Sequence, residues 1–211
     1  MPTFPVDLQA YLGCLLMEQQ AFDLHEGVTA QSRTAGGQVI RAEGAERLWH
    51  GSLTLRALRH EDARGLHAKM HMLRAAGASF YLRDMTHDGG TVSASLATVQ
   101  GNGTINILGG PGGHVLSPGD YISFNYNGIR ALHQIVDSPS GWTLSAGTGA
   151  RNGVEVVPPV RPGWTAGAAL TIGAAKCQAV MVPGSVRVGT SSDIATAGAS
   201  FEWVQLLRSA A

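Results

Sequence analysis

The sequence predicts a mainly β protein, one β domain that carries one α-helix and is interrupted by a small β-barrel. Three observations lead there. Between Leu48 and Asp84 the chain reads as strand, short turn, amphipathic helix, tight turn and strand, and this is the one convincing helical pattern in 211 residues. From Thr91 to about Val157, short alternating segments are separated by Gly-Asn-Gly, Pro-Gly-Gly, Pro-Gly-Asp, Asn-Gly and Ser-Gly turns, a texture of small closed or partly open barrels. Beyond Pro162, the segments Ala168–Ile172, Lys176–Met181 and Ser200–Leu207 resemble the alternating strands of the first part. The expected division is therefore 1–88 plus 172–211 for the outer β domain, with its helix at 60–75, and 89–171 for the inserted barrel.

Leu8–Leu24 fits either helix or strand, and an irregular extended reading is preferred, leading into a strand near Ala21–His25. Gly36-Gly37 marks a turn with a short strand, Gln38–Ala42, behind it. Leu48, Leu53, Leu55 and Leu58 then indicate a half-buried strand. The helix follows: Glu61 and Asp62 place negative charge where the macrodipole favours it, and Ala63, Leu66, Met70 and Leu73 form one apolar stripe. Gly77 supplies a stop, and Ser79–Leu82 returns as a strand. A helix of about fifteen residues is ~22 Å long and must bury its stripe on a sheet, because a short isolated helix is marginal in water. Within the insert, strands are expected at Thr91–Val99, Thr104–Leu108, Asp120–Asn125, Arg130–Val136, Trp142–Ala146 and Val154–Val157.

Fifteen basic and fifteen acidic side chains give zero net charge, which removes the electrostatic case for nucleic acid or an anionic membrane as partner. Charged residues are 14% of the chain, against roughly 25% in ordinary soluble domains. So low a charge suits a surface largely covered by other subunits. Cys14 and Cys177 lie far apart in apolar surroundings and read as buried reduced thiols, without the spacing of a zinc module or a disulfide framework. No apolar run reaches 18 residues and no basic segment precedes the first apolar stretch, so neither a transmembrane helix nor a secretory signal is expected. Folding in a cytoplasm follows.

Catalytic chemistry finds little support. His60, His67 and His71 share one direction on the helix, and HAKMH has the i, i+4 pair of helical metal sites. HExxH is missing, however, and that direction lies roughly 100° from the apolar stripe. These side chains, with Arg64, read instead as an outward surface for a neighbouring subunit or hub, and no metal is expected. Neither Thr148-Gly149 nor Gly184-Ser185 makes a GxSxG elbow, and Asp84, Asp88 and Asp120 sit in turns, where Asp is expected for its backbone hydrogen bonds. No catalytic residue is assigned. QGNGTINILGGPGGHVL lacks the lysine and following helix of a phosphate loop, so no cofactor is expected either. Tyr121, Phe124 and Tyr126, with Trp142, are the side chains that could stack on sugars if they face outward.

The succession LWHGSLTLRAL, EDARGLHAKMHMLRAAGASFYLRD, a Gly-rich insert containing LSPGDYISFNYNGIRALHQIVD, the turn Pro158-Pro159-Val160-Arg161 and finally AAKCQAVMV resembles distal tail proteins. These are tail-tip (baseplate) ring proteins of long-tailed bacteriophages and of phage-derived particles of proteobacteria. The resemblance spans about residues 20–185, whereas residues 1–20 have no counterpart and Met85-Thr86 stands where related chains often carry Asp-Pro. It implies a mainly β fold, a β-sandwich domain carrying one α-helix with an inserted small OB-like β-barrel. It also implies a structural virion protein and not an enzyme: a hexameric ring at the end of the tail tube, joining the tube protein to a hub or baseplate protein. DNA would pass through the lumen without specific binding. Strands Leu48–Leu58 and Phe80–Leu82 would build the ring wall, and the helix side bearing His60, Arg64, His67 and His71 would meet a neighbour or the hub. Assembly would occur in the host cytoplasm, with no membrane partner. The alternative is a carbohydrate-binding tail-tip module using Tyr121, Phe124, Tyr126 and Trp142.

Overall fold

A computed structural model describes residues 3–13, 17–33, 36–37, 39–43, 46–87, 90–101, 103–126 and 128–207. The chain opens with β1 (Val6–Asp7), α1 (Leu8–Leu12), β2 (Met17–Gln20) and β3 (Asp23–Leu24). β4 (Val28–Arg33) and β5 (Val39–Glu43) pair with each other as a hairpin. β6 (Trp49–Leu55), β7 (Leu58–Arg59), α2 (His60–Leu73) and β8 (Phe80–Leu82) follow. Next come β9 (Thr91–Gln100), β10 (Thr104–Leu108), β11 (Tyr121–Tyr126), β12 (Ile129–Asp137), β13 (Arg151–Val157) and β14 (Ala168–Gly173). β15 (Cys177–Met181), β16 (Arg187–Ser191) and β17 (Ala195–Gln205) close the chain. The observed class is the mainly β one expected from the sequence, with one principal helix and a small barrel.

The nine-stranded sheet is organised around β17, whose 11 residues are long enough to serve two pairs of neighbours end to end. Its C-terminal half lies between β15 and β6, and its N-terminal half between β16 and β7. Side chains alternate across a strand, so Phe201 and Trp203 turn to one face and Glu202 and Val204 to the other. On β6 the same alternation buries Trp49, Leu53 and Leu55 and leaves His50 and Ser52 only half-buried. α2 closes the inner face, with Ala63, Leu66, Met70 and Leu73 buried, which is the stripe anticipated from their spacing. Glu61 and Asp62 occupy its first turn. Gly77, at φ +81°, lies in the turn leading towards β8, in a left-handed conformation that only glycine adopts without strain.

Leu8–Leu12 departs from the extended reading. It is helical because the Asp7 carboxylate accepts a 3.2 Å hydrogen bond from the Ala10 amide and so caps the N-terminus. Five residues are too few for a helical period to show in sequence.

Gly51 on β6 faces Trp203 on β17 across the ladder. A Cβ there would stand 1.9 Å from the Ala21 carbonyl oxygen and 3.2 Å from the Trp203 ring, while Ala21 is held close by its amide bond to the Ser52 carbonyl, 2.8 Å. Gly51→Ala is therefore expected to destabilise the sheet by about 2–3 kcal/mol, the cost of overpacking a rigid site. Urea denaturation followed by tryptophan fluorescence measures it, and an unchanged midpoint would contradict the close approach.

The barrel closes with the order β10-β13-β12-β11-β14-β9, all pairs antiparallel. Its interior holds Leu96, Ile105, Ile122, Phe124, Ile135, Val154, Leu170 and Ile172. The sixth strand is β14, not Trp142–Ala146 as the sequence suggested. Thr143 makes only an isolated bridge to Val115, and the chain turns at once, with the Gly149 amide bonding back to the Ser145 carbonyl. Ala168–Ile172, likened in pattern to the strands of the first part although the expected insert runs to 171, lies in β14, which closes the barrel between β9 and β11.

An aromatic cluster joins the two units. Phe22 contacts Trp49, Tyr121 and Trp203 at centroid distances of 5.4, 5.7 and 4.8 Å. The Trp49 indole Nε1 donates 2.9 Å to the Leu132 carbonyl of β12, and its amide donates 3.3 Å to Gln205 Oε1. Arg161, in the turn after β13, pairs with Glu46 at 3.1 Å and donates to the Arg47 carbonyl at 3.3 Å. The buried Trp49 hydrogen bonds and the aromatic cluster, with the more exposed Arg161 contacts beside them, orient the barrel on the sheet.

Candidate interaction surfaces

Two surfaces of the sheet domain stand out, one on each face of the β6–β17 pair. The first is the outer side of α2. At 100° per residue, Arg64, His67, His71 and Arg74 lie within about 80° of arc, and Glu61 and Asp62 fall outside it. Arg64, His71 and Arg74 are exposed, and His67 is half-buried with Nε2 buried and without a hydrogen-bond partner. His60 is also half-buried, its Nδ1 hydrogen-bonded at 3.2 Å to Thr196 Oγ1 of β17. The predicted quartet His60, Arg64, His67 and His71 is thus split, with Arg64 and His71 presented outward and His60 tied to the sheet. Lys69 belongs to the other flank, donating 2.7 Å to the Tyr11 carbonyl of α1. Among the described residues, no acidic side chain pairs with Arg64 or Arg74.

The second surface is a trough of about 720 Å³ on the opposite face of the sheet, open along one side. Asp23, His25, Glu46, His50 and Glu202 line it with Ser52, and among the described residues no lysine or arginine does. Its floor follows from the strand register, which sets Glu202 opposite Ser52 and Val204 opposite His50. The rings of His25 and His50 meet edge to face at 5.8 Å. His25 Nδ1 accepts 3.0 Å from the Gly27 amide, and His50 Nδ1 is buried without a partner. Of the three carboxylates, Glu46 is paired to Arg161, and Arg47 Nε donates 3.4 Å to the His25 carbonyl at the rim; among the described residues Asp23 and Glu202 have no ion-pair partner. Sequence reasoning missed this surface because its residues come from three separated segments. The one available signal was the alternation in LWHGSLTL, which sets His50 and Ser52 opposite Trp49 and Leu53.

The barrel aromatics do not form a stacking platform. Tyr121 is buried in the junction between the units, where desolvation, with the Asp84 carboxylate next in effect, raises its phenol pKa. Phe124 is fully buried inside the barrel, stacked on His133 at 5.1 Å. Trp142 is half-buried and packs against the barrel interior. The Tyr126 side chain lies outside the described residues. A ring that is already buried cannot lie on a sugar face, so the glycan-contact reading loses Tyr121 and Phe124.

The Cys177 thiol is buried against the Leu82 carbonyl, and desolvation pushes its pKa up to about 12, so it stays protonated and unreactive at neutral pH. Cys14 lies outside the described residues. Among the described residues, no group of three or more His, Cys, Asp or Glu side chains is placed to hold a metal ion. No described helix is long and apolar enough to cross a membrane. No protein-family model matches the sequence, and no curated protein matches it.

Proposed function

We propose that this chain is a structural ring subunit at the distal end of a phage or phage-derived tail tube, joining the tube protein to a hub or baseplate protein. The observation that carries the reading is the order of parts: a sheet domain with one principal helix, interrupted between β8 and β15 by a closed barrel. That is the arrangement the resemblance to distal tail proteins implies. The sheet edges fit the same role. The barrel has no free edge, whereas the sheet path ends at β1 and β2, which leaves backbone groups for a neighbour to cover. Zero net charge suits a ring whose lumen passes DNA without binding it. In this reading the partners are further copies of the chain, the tube protein and the hub. Its place is the tail tip of the virion, after assembly in the host cytoplasm.

Light scattering at tens of micromolar and electron microscopy, alone and with isolated tail tubes, test the proposal. The expected result is a closed ring of 22.0 kDa subunits, or a ring seated at one tube end. A strict monomer that decorates no tube would overturn it.

A further inference from the structure

We infer that successive copies join by seating the basic flank of α2 from one copy in the acidic trough of the next. This rests on the ring reading and names the two surfaces that would meet. The inner face of the β6–β17 pair packs against α2, and the outer face carries the trough. Donor and acceptor surfaces therefore lie on opposite sides of one sheet. Such a pair is not self-complementary, so it builds a head-to-tail contact that propagates from copy to copy and closes if the rotation allows.

Charge selects the occupant. Arg64 and Arg74 are exposed on one flank of α2, and Asp23 and Glu202 are exposed in a trough that, among the described residues, is lined by no lysine or arginine. The chain as a whole is neutral, and with this pair of arginines on one face and this pair of carboxylates on the other, a second copy is the matching partner. The apolar part of the trough, Leu48, Val182 and Val204, offers cover to the arginine stems and to the His67 and His71 rings between them.

The test uses the full chain with three sets of substitutions: Arg64→Glu with Arg74→Glu, Asp23→Lys with Glu202→Lys, and all four together. These positions are exposed, and circular dichroism checks that each variant folds. Each reversed pair is expected to raise the concentration for half-assembly by about tenfold or more, from like charges set opposite one another, and the fourfold variant to recover assembly. A second measurement pairs His71→Cys with Glu202→Cys. Oxidation should give a ladder of covalent multimers with both thiols present and none with either alone. A ring that forms equally well in both reversed variants, or one that yields no ladder, would overturn the docking and leave the ring reading standing. So would reversals that spare the ring and abolish only hub binding. A wild-type chain that makes no ring would overturn both.

Discussion

Replacing Phe124 by alanine is expected to destabilise the protein by about 3–5 kcal/mol, the range for removing a fully buried aromatic ring from a packed interior. The ring is 0% exposed, lies on β11 between β12 and β14, and stacks nearly parallel (7°) on the His133 imidazole. Deletion leaves a cavity in the barrel interior, beside Leu170, that a closed barrel cannot collapse to fill, because each of its strands is held by two neighbours. For a chain of this size the loss corresponds to a fall in Tm of roughly 10 °C. Calorimetry of the variant beside wild type measures it, and a Tm within two degrees or so of wild type would place the ring at the surface. The result bears on function as well, because lost glycan binding in a Phe124→Ala variant would report an unfolded barrel rather than a missing contact.

The second large effect is with pH, through the same stacked pair. His133 is buried, and its Nδ1 donates 2.6 Å to the Pro158 carbonyl, so Nδ1 carries the proton of the neutral ring and Nε2 is left buried without a partner. Desolvation is the largest influence on this group. Arg161 acts in the same direction and the Pro158 hydrogen bond opposes both, and the outcome is a pKa pushed down to about 4 from an ordinary 6.5. Above pH 6.5 the imidazole is neutral in both the folded and the unfolded chain, and its contribution to stability is fully present. Between 6.5 and 4 the unfolded chain binds the proton and the folded one does not, so stability falls as pH falls, by about 1.4 kcal/mol per unit and about 3 kcal/mol in all. Carboxylates also titrate near the lower end, so the informative comparison is with His133→Phe, which keeps an aromatic ring against Phe124. Between pH 7 and 5 wild type is expected to lose stability more steeply than the variant, as read by urea midpoints. Equal slopes would show that this histidine takes no part.

Elements defined by local pattern were legible in the sequence. The helix was read correctly because acids at its start, a three-and-four apolar spacing and a glycine beyond its end are all local signals, and burial acted on the stripe they marked. Most barrel strands were legible for the same reason, being short alternations set off by glycine turns. The sixth was not. Trp142–Ala146 and Ala168–Ile172 are both short segments of strand-like composition, and only β14 finds partners on both sides, in β9 roughly 75 residues back and in β11 roughly 50 residues back. Side-chain direction in β11 was also undecided. Ile122 and Phe124 face the barrel interior, while Tyr121 is covered from outside by Trp49 and Phe22 of the sheet domain, so the strand is buried on both sides at that point. Alternation by itself assigns one face to solvent.

What the sequence determined alone was the class of fold, the helix with its buried stripe, and the placing of Arg64 and His71 on an outward side. Each of these depends on spacing along a few turns or strands, where chain geometry dictates which residues share a face. The tertiary structure decided which strand closed the barrel, that Tyr121 and Phe124 are interior, and that Asp23, Glu46 and Glu202 gather around His25 and His50. Those outcomes depend on strand pairings and packing between distant segments, whose free energy is settled only when the whole sheet forms and not by any residue's immediate neighbours.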